Sequence, residues 1–335
     1  MKCKKINGKT VGTALLFVVA IASLALTPVF GRKKTVAENE GIKYEAIINV
    51  WHVDTFDGGV GSRAAFLQKR ADEFSKKRKG ALVLVTARTV DSVKEDLGKG
   101  VYPDAVSYGI GGIDPSAFSA LKNKNLLKGG EANGKFYGAA YLRGQYFLFT
   151  HNLAAVEKAS EIIVYSADNY STATAAALAG VKGKFAFSDK SQAARLFLKD
   201  KNAAMVGTQR DLYRLKAAGA EFSATPLGDF CDLYQYLSVI TSDEVKNARM
   251  VEFIDYLLSD AAQEKVFGLM MLPVKIGLNA DSADERIKSA YLKTPVQTLS
   301  PFLLKCEIDG VKTAAEKSLN AGGEKSEVTK LLKQL

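Results

Sequence analysis

The first segment with a clear hydrophobic pattern predicts a strand, a helix and a second strand. Residues 47–53 form a run rich in β-branched and aromatic side chains, which predicts a strand buried on both faces. Leu67, Ala71 and Phe74 then recur at the spacing of an amphipathic helix. A second apolar run follows at 82–85. The segment is therefore predicted to be a β–loop–α–β unit.

The loop between the first strand and the helix is rich in glycine. Gly58, Gly59 and Gly61 allow positive φ angles, and Ser62 stands where a helix N-cap belongs. Gly80 is expected to end the helix. Proteins of the α/β class bind ligands at the carboxyl ends of strands, and helix N-termini favour anionic or hydroxyl-rich groups. The loop is the best candidate site, and the alternative is that its glycines only shape the start of the helix.

Strands and helices continue to alternate along the chain. They are predicted, in order, as a helix at 90–98, a strand at 105–109, a helix at 191–198, a strand at 203–207, a helix at 211–218, strands at 222–225 and 233–240, a helix capped by Asp243, and helices near 311–319 and 324–335. The aromatic-rich segment 134–152 is long enough to run from one domain into another. The alanine-rich segment 153–182 gives no clear assignment. Two alternating sets predict two α/β domains.

The N-terminal 31 residues differ from the rest of the chain. Four lysines precede an apolar run at 11–30, which predicts a secretory signal peptide. The run is also long enough to span a bilayer, so a membrane anchor is the alternative. Both alternatives predict an extracytoplasmic protein. The polar residues 32–42, which follow the apolar run, are predicted to form a tether. Cys3 precedes the apolar run, so the chain has no lipobox.

Composition excludes several classes of function. Among 335 residues 47% are hydrophobic and 24% charged, which is typical of a globular protein. The net charge of +10 is interleaved with acidic residues, so no nucleic-acid partner is expected. His52 and His151 have no ligand partners at metal spacing, and neither a GxSxG motif nor a P-loop occurs. We expect no metal, no cofactor and no enzyme activity, although sequence alone leaves a paired-carboxylate glycosidase open.

Two cysteines follow the leader. Cys231 and Cys306 are too few for a disulfide framework and are either one pair or two buried thiols. We expect thiols.

Five segments occur in a telling order. They are the strand at 48–51 with the helix that follows it to Phe74, the YPDAV motif at 102–106, the GKFYGAAYLRGQYFLFTHN motif at 134–152, the strand at 197–207 and the helix at 248–266. In this order they resemble the extracellular solute-binding proteins of ABC importers, family 1, the group similar to maltose-binding protein. The chain departs from the family in lacking a PTWEL-like segment after Asn152. Trp51 is its only tryptophan, whereas sugar-binding clefts of the family often have several.

The resemblance implies an α/β, two-lobed periplasmic-binding-protein-like fold of type II, in which two Rossmann-like domains are joined by a hinge with crossing strands. The implied first lobe covers 43–143 plus about 238–275, and the second covers about 144–237 plus 276–335.

The implied function is that of the extracytoplasmic substrate-binding component of an ABC importer. Such a protein captures a small polar solute, here a sugar or an anionic solute, in the cleft between lobes by hinge closure. Its partners are the solute and the membrane subunits of the permease, and it is expected to be a monomer. The alternatives are a secreted glycoside-acting enzyme and a solute-sensing receptor subunit on the same fold.

The candidate ligand-binding residues come from the glycine loop, the crossing segment and the strand ends of both lobes. They are Trp51, Asp54, Gly59, Gly61, Ser62, Arg63, Tyr108, Tyr141, Arg143, Thr208, Arg210, Asp229 and Tyr234. Arginine forks suit carboxylate, sulfate and phosphate. We therefore predict an anionic solute bound by Arg63, Arg143 and Arg210, and weaker binding in an Arg63→Ala variant.

Overall fold

The computed structural model describes residues 44–111, 115–151, 159–293, 295, 297–322 and 326–335. Residues 45–335 form one compact unit. Within the described ranges, every helix is too short or too polar to cross a bilayer. The leader and tether at 1–42, and Asn152 at the end of the crossing segment, lie outside the described residues.

The described strands form two five-stranded sheets and a small two-stranded one. They are β1 (Ala46–Val53), β2 (Ala81–Arg88), β3 (Ala105–Tyr108), β4 (Glu131–Ala132), β5 (Lys135–Phe136), β6 (Ala139–Arg143), β7 (Tyr146–Thr150), β8 (Ile162–Ser166), β9 (Phe185–Asp189), β10 (Ala204–Thr208), β11 (Ser223–Pro226) and β12 (Tyr234–Val239). The first sheet has the order β2-β1-β3-β12-β6, the second β11-β7-β10-β8-β9, and β4 pairs with β5. We call the parts of the chain built on the two large sheets the first and second lobe.

Helices pack against both sheets. They are α1 (Arg63–Lys77), α2 (Val90–Gly98), α3 (Thr172–Ala179), α4 (Lys190–Lys199), α5 (Gln209–Ala217), α6 (Glu244–Leu257), α7 (Asp260–Gln263), α8 (Glu285–Tyr291), α9 (Lys305–Asn320) and α10 (Ser326–Leu332), with short 3-10 helices at Pro115–Ala117, Lys128–Gly130 and Glu264–Leu269. In the first sheet β2 and β3 pair parallel to β1, and in the second β8 pairs parallel to β9 and β10. The predicted α/β class is confirmed.

The first strand is buried on both faces only in its second half. Residues 50–53 are buried, but Ile47 is 48% exposed and Asn49 is exposed as well. Leu84 stands opposite Asn49 on β2 and is also exposed, so this face of the sheet meets solvent here. The prediction of a strand buried throughout is therefore wrong for its first half.

The helix after the glycine loop begins and ends with ordinary caps. Ser62 Oγ accepts a hydrogen bond from the Ala65 N–H, so the predicted N-cap is confirmed. The three apolar residues predicted at helical spacing are buried. The helix ends at Lys77, because Arg78 leaves helical geometry at φ −108° and ψ 84°. Gly80, predicted as the end, instead supplies a positive φ of 96° in the turn into β2.

The chain passes between the sheets without a long linker. β6 belongs to the first sheet and β7 to the second, and only Gly144 and Gln145 separate them. A Cβ on Gly144 would lie 2.7 Å from Gln209 Oε1 and 2.9 Å from Leu233 Cβ, so the crossing is tightly packed. The return runs from β11 to β12 through 227–233. The aromatic-rich segment thus runs from the first sheet into the second.

The alanine-rich segment contains β8 and α3, which the pattern did not predict. Residues 172–178 of α3 are all buried, so the helix has no polar face. It packs against α9 on one side and β8 on another. Without alternation of polar and apolar positions, the sequence carries no helical period. Ser171 and Gly180 nevertheless cap the helix, at its N-terminus and in αL conformation at its C-terminus.

Candidate functional site

A cavity of about 460 Å³ lies between the lobes, at the carboxyl end of β1. It is lined in the first lobe by Asp54, Thr55, Phe56, Asp57, Gly58, Gly59, Gly61, Arg63 and Val90, and in the second lobe by Ala167, Asp168, Asn169, Tyr170, Lys190, Arg210 and Arg214. The first-lobe wall is almost entirely the glycine loop. The second-lobe wall comes from the loop after β8, the start of α4 and the first two turns of α5.

Arg63 supports this loop from beneath. It is 3% exposed, its Nε donates to Asp54 Oδ1 at 2.7 Å, and its Nη2 donates to the Phe56 carbonyl. The guanidinium carbon lies 4.1 Å from the centre of the Phe56 ring. A third nitrogen, Nη1, is buried without a hydrogen-bond partner among the described residues. The guanidinium therefore fixes the loop's shape, while its Nη1 amino group makes no hydrogen bond in the part of the chain that the structure describes.

Asp54 joins Arg63 to His52. His52 Nε2 lies 2.9 Å from Asp54 Oδ1. Burial acts to raise the pKa of Asp54, but the hydrogen bond from His52 and the charge of Arg63 outweigh it and hold that pKa below its ordinary value. Burial lowers the pKa of Arg63, and the charge of Asp54 only partly offsets this effect. The guanidinium nevertheless remains ionised, because the pKa of an arginine is so high.

Beneath the loop, His52 and Asp54 continue into a buried chain of hydrogen bonds. His52 Nδ1 lies 3.0 Å from Ser107 Oγ, which also bonds the Tyr141 hydroxyl at 2.9 Å and accepts from Gln235 Nε2 at 2.9 Å. Serine, histidine and aspartate thus follow one another in the order of a hydrolase triad, but here Nδ1 faces the serine and Nε2 the aspartate, the reverse of that triad. Ser107 is fully buried, has three partners and does not line the cavity. This geometry packs the strand ends and gives a substrate no access to the hydroxyl.

The loop also lies directly on the segment after α7. Val60 N–H donates to the Leu269 carbonyl at 2.7 Å. A Cβ on Gly59 would lie 2.0 Å from that same oxygen, so only glycine fits here. Gly61 has a φ of +76°, which also favours glycine. The glycines therefore serve close backbone approach and a left-handed turn.

Second-lobe side chains hold alternate carbonyls of the loop. Asn169 Nδ2 donates to the carbonyl of Thr55 at 3.3 Å. Gln209 Nε2 donates to the carbonyl of Asp57 at 2.7 Å, and Arg210 Nη1 to that of Gly59 at 2.9 Å. The two lobes are thus in direct polar contact along one edge of the cavity.

The Asp57 carboxylate faces cationic and hydroxyl groups of the second lobe. Lys190 Nζ lies 2.8 Å from Oδ1, the Tyr170 hydroxyl donates to Oδ2 at 3.2 Å, and Arg214 Nη2 lies 3.9 Å from Oδ2. Arg214 Nη1 also bonds the buried Asp211 at 3.1 Å. We call Lys190, Arg214 and Tyr170 the cationic cradle.

The structure brings five of the thirteen predicted site residues to the cavity wall. These are Asp54, Gly59, Gly61, Arg63 and Arg210. Their common feature is position: all but Arg210 follow β1, and Arg210 lies in the first turn of a second-lobe helix.

The other predicted residues on or next to the strands of the first sheet do not line this cavity. Trp51 is buried in β1, with the Arg88 guanidinium 4.8 Å from its ring centre. Tyr108 bonds Ser238 within the core, while Tyr141 bonds Ser107 in the buried chain already described. Tyr234 is buried on β12 and Ser62 caps α1. Their positions are explained by packing and capping.

Arg143, Thr208 and Asp229 also lie away from the cavity wall. Arg143 donates to Gln145 Oε1 at 3.1 Å and to the Lys293 carbonyl at 3.2 Å, so the structure does not bring it to Arg63 and Arg210. Thr208 caps α5. The carbonyl of Asp229 accepts from the Gln297 N–H.

Sequence reasoning missed the cationic cradle and Asp57. Asp57 lies inside the predicted loop, one residue before its glycines. Lys190 begins the helix after β9, and Tyr170 follows β8 in the segment that gave no pattern. A signal existed for Lys190, because it begins a helix that follows a strand of the second sheet. Arg214 lies beyond the first turn of α5 and carried no such signal.

The second crossing contains a buried carboxyl group. Tyr146 OH donates to Asp232 Oδ1 at 2.6 Å. Burial raises the pKa of Asp232 to about 7, although this hydrogen bond and the charge of Lys312 act in the opposite direction. Its neighbour Cys231 is a buried free thiol, and Cys306 is free but exposed, so the expectation of two buried thiols is wrong for Cys306. In the described ranges no cluster of three or more metal-ligating side chains occurs.

Two α/β lobes, strands that cross between them and a polar cavity at their junction define a two-lobed periplasmic-binding-protein-like fold, as predicted. Solved structures share it. The GacH receptor of Streptomyces glaucescens, determined unliganded and with acarbose, is 14% identical over 86% of this chain and 98% of that chain, with a TM-score of 0.54.

Two further structures match over similar lengths. The sugar-binding protein MalE of Xanthomonas citri is 11% identical over 86% of this chain and 96% of that chain, with a TM-score of 0.58. The galacto-N-biose/lacto-N-biose I-binding protein of an ABC transporter from Bifidobacterium longum is 11% identical over 88% and 96%, with a TM-score of 0.58. Neither a protein-family model nor a curated protein matches the sequence. At these identities the likeness establishes the fold.

Proposed function

We propose that this protein is the extracytoplasmic solute-binding component of an ABC importer and holds a small polar solute between its lobes. The observation that carries the proposal is the cavity, whose walls come from both lobes. A solute that contacts both walls binds the closed arrangement better than an open one, so binding and closure are linked.

The proposed solute is a sugar or a sugar-like molecule, held by hydrogen bonds. The solved neighbours bind acarbose and lacto-N-biose, which supports this class. In this chain the lining is polar, with carboxylates, amides, hydroxyls and cations on both walls. Phe56 is 6% exposed and its ring is covered by Arg63, so stacking contributes less here than polar contacts.

The leader supports an extracytoplasmic location, either by export and cleavage or by anchoring. In either case the lobes face the solute outside the cytoplasm, and the partners are permease subunits in the membrane. We propose that the protein acts as a monomer, because one chain supplies both walls of the cavity.

Calorimetry and small-angle scattering on the purified protein test the proposal. The panel contains mono- and disaccharides, sugar acids and sugar phosphates. A solute at about 100 times its Kd should add about 2.7 kcal/mol to the free energy of unfolding. The same solute should reduce the radius of gyration, and it should be recovered unchanged.

A matched pair of variants ties binding to the cavity. Asn169→Ala removes an amide from the wall and should weaken binding, whereas Gln192→Ala, an exposed position on α4, should not. Binding without compaction and without an effect of Asn169→Ala would contradict the proposal. Turnover of a glycoside would favour the secreted enzyme instead.

A further inference from the structure

The cationic cradle is filled by the protein itself. We propose that Lys190, Arg214 and Tyr170 form an anion-binding subsite, that the Asp57 carboxylate fills it when the lobes meet without a solute, and that a carboxylate or phosphate group of the solute takes its place. The inference rests on the proposed function, since it assigns a charge to the solute held in the same cavity.

The geometry is that of a bound anion. Asp57 Oδ1 lies 2.8 Å from Lys190 Nζ, while Oδ2 accepts from the Tyr170 hydroxyl at 3.2 Å and lies 3.9 Å from Arg214 Nη2. Both carboxylate oxygens thus have partners, and every partner belongs to the opposite lobe. Lys190 Nζ also lies 5.6 Å from the centre of the Tyr170 ring, within the range of a cation–π contact.

Charge balance shows why the subsite needs an anion. Arg214 is shared between Asp211 and Asp57, whereas the ion pair that Lys190 makes in the described residues is with Asp57. Two cations and two carboxylates are neutral together. Withdrawal of Asp57 leaves an excess of one positive charge in a partly buried site, which a solute anion can neutralise.

The groups of the cradle keep the protonation states that this role needs. Burial and then the charge of Asp57 raise the pKa of Tyr170, so its hydroxyl stays protonated and donates. Burial disfavours the charge of Arg214, but Asp211 and Asp57 outweigh it and raise its pKa. The cradle therefore offers hydrogen-bond donors to an acceptor.

Asp57 can leave the cradle without movement of its backbone. Its carbonyl is held by Gln209 and the neighbouring carbonyls by Asn169 and Arg210. The carboxylate is attached by two single bonds and is 21% exposed, so a rotamer change releases it. Because it is tethered beside the cradle, it competes at a high effective concentration and keeps simple anions out of the wild-type protein.

The experiment measures the affinity of the purified protein for inorganic phosphate and sulfate by calorimetry, at constant ionic strength. Asp57→Asn removes the competing charge and keeps the side chain's size. Its affinity for these anions should exceed that of wild type by at least about tenfold, the effect of one charge-assisted hydrogen bond. The double variant Asp57→Asn/Lys190→Gln should lose that gain.

Asp168→Asn is the matched control, because Asp168 lines the same cavity and makes none of the cradle contacts. The same charge change there should alter anion affinity by less than about twofold, as expected for a screened, exposed charge. Should Asp57→Asn not fold, Asp57→Ala carries the same test.

Three results would overturn the subsite: no gain in Asp57→Asn, an equal gain in Asp168→Asn, or a gain that survives Lys190→Gln. If the anion result fails while a neutral solute still compacts the protein, the subsite is wrong and the proposed function stands. If phosphate binds Asp57→Asn as expected while no solute of the panel compacts the wild-type protein, the subsite stands and the proposed function fails.

Discussion

Replacement of Arg63 by alanine should destabilise the protein far more than it weakens solute binding. Arg63 is 3% exposed and its guanidinium is directed at the protein's own loop, through Asp54 and the Phe56 carbonyl. This reverses the emphasis of the sequence-based prediction, in which the arginine bound an anionic solute. The structure makes Arg63 a support for the loop that forms the first-lobe wall.

The magnitude follows from three contacts. Loss of the Phe56 hydrogen bond leaves a buried carbonyl unsatisfied, which costs about 1–3 kcal/mol. Loss of the cation over the Phe56 ring at 4.1 Å costs about 0.5–2 kcal/mol. Asp54 is 58% exposed in its side chain, so its pair with Arg63 adds less than about 1 kcal/mol. Because these terms overlap, we expect a total loss of about 2–4 kcal/mol.

Denaturant unfolding of wild type, Arg63→Ala and Arg210→Ala tests this reasoning. Arg210 is the control, because it lines the same cavity, is only half-buried and donates one hydrogen bond to a carbonyl. Arg210→Ala should lower the free energy of unfolding by less than about 1 kcal/mol, and it should also lower the affinity for solute. If the free energy of unfolding of Arg63→Ala is within about 0.5 kcal/mol of the wild-type value while its solute affinity falls, our interpretation of Arg63 is refuted.

Three further outcomes can be measured. Asp232 has its pKa raised by burial to about 7, so the folded state binds more protons than the unfolded state between about pH 4 and 7. The free energy of unfolding should therefore fall as pH rises through that window. Measured by denaturant unfolding from pH 4 to 8, this fall should be smaller in Asp232→Asn by up to about 4 kcal/mol. An unchanged pH profile in the variant would contradict this. Gly59→Ala should push the loop off the Leu269 carbonyl, which a Cβ would meet at 2.0 Å, and lower the melting temperature and solute affinity together; a variant with wild-type values would show that the loop relaxes freely. In the native protein a thiol reagent should label the exposed Cys306 and spare the buried Cys231, with both labelled after unfolding, and rapid native labelling of Cys231 would contradict its burial.

Hydrophobic periodicity predicted helices that have one exposed face and one buried face. The helix α1 was found because its apolar positions repeat, and Ser62 carried a recognisable cap. Fully buried strands such as β10 and β12 were found as short apolar runs. The helix α3 was missed because burial on all sides removes the period on which such predictions rest. Local pattern therefore identifies amphipathic helices and buried strands, and misses a helix that is buried on all sides.

The site was predicted as far as its loop and Arg210 on the opposite wall. Position after β1 identified Asp54, Gly59 and Arg63 as part of the cavity wall. The role of Arg63 could not be foreseen, because its partner carbonyl at Phe56 becomes available only once the loop has folded back. The pairing of Asp57 with Lys190 joins residues 133 positions apart, and no local pattern encodes such a contact.

The position of β12 has a consequence for the order in which the protein folds. This strand lies between β3 and β6, and β6 joins the first sheet only through it. Residues 234–239 follow all five strands of the second sheet along the chain. When the chain is synthesised from its N-terminus, all strands of the second sheet are therefore available before β12. Until β12 is made, the first sheet is incomplete and β3 has an unpaired edge. Such an edge is prone to mispairing, so a fragment that stops before residue 234 should aggregate instead of yielding an isolated first lobe.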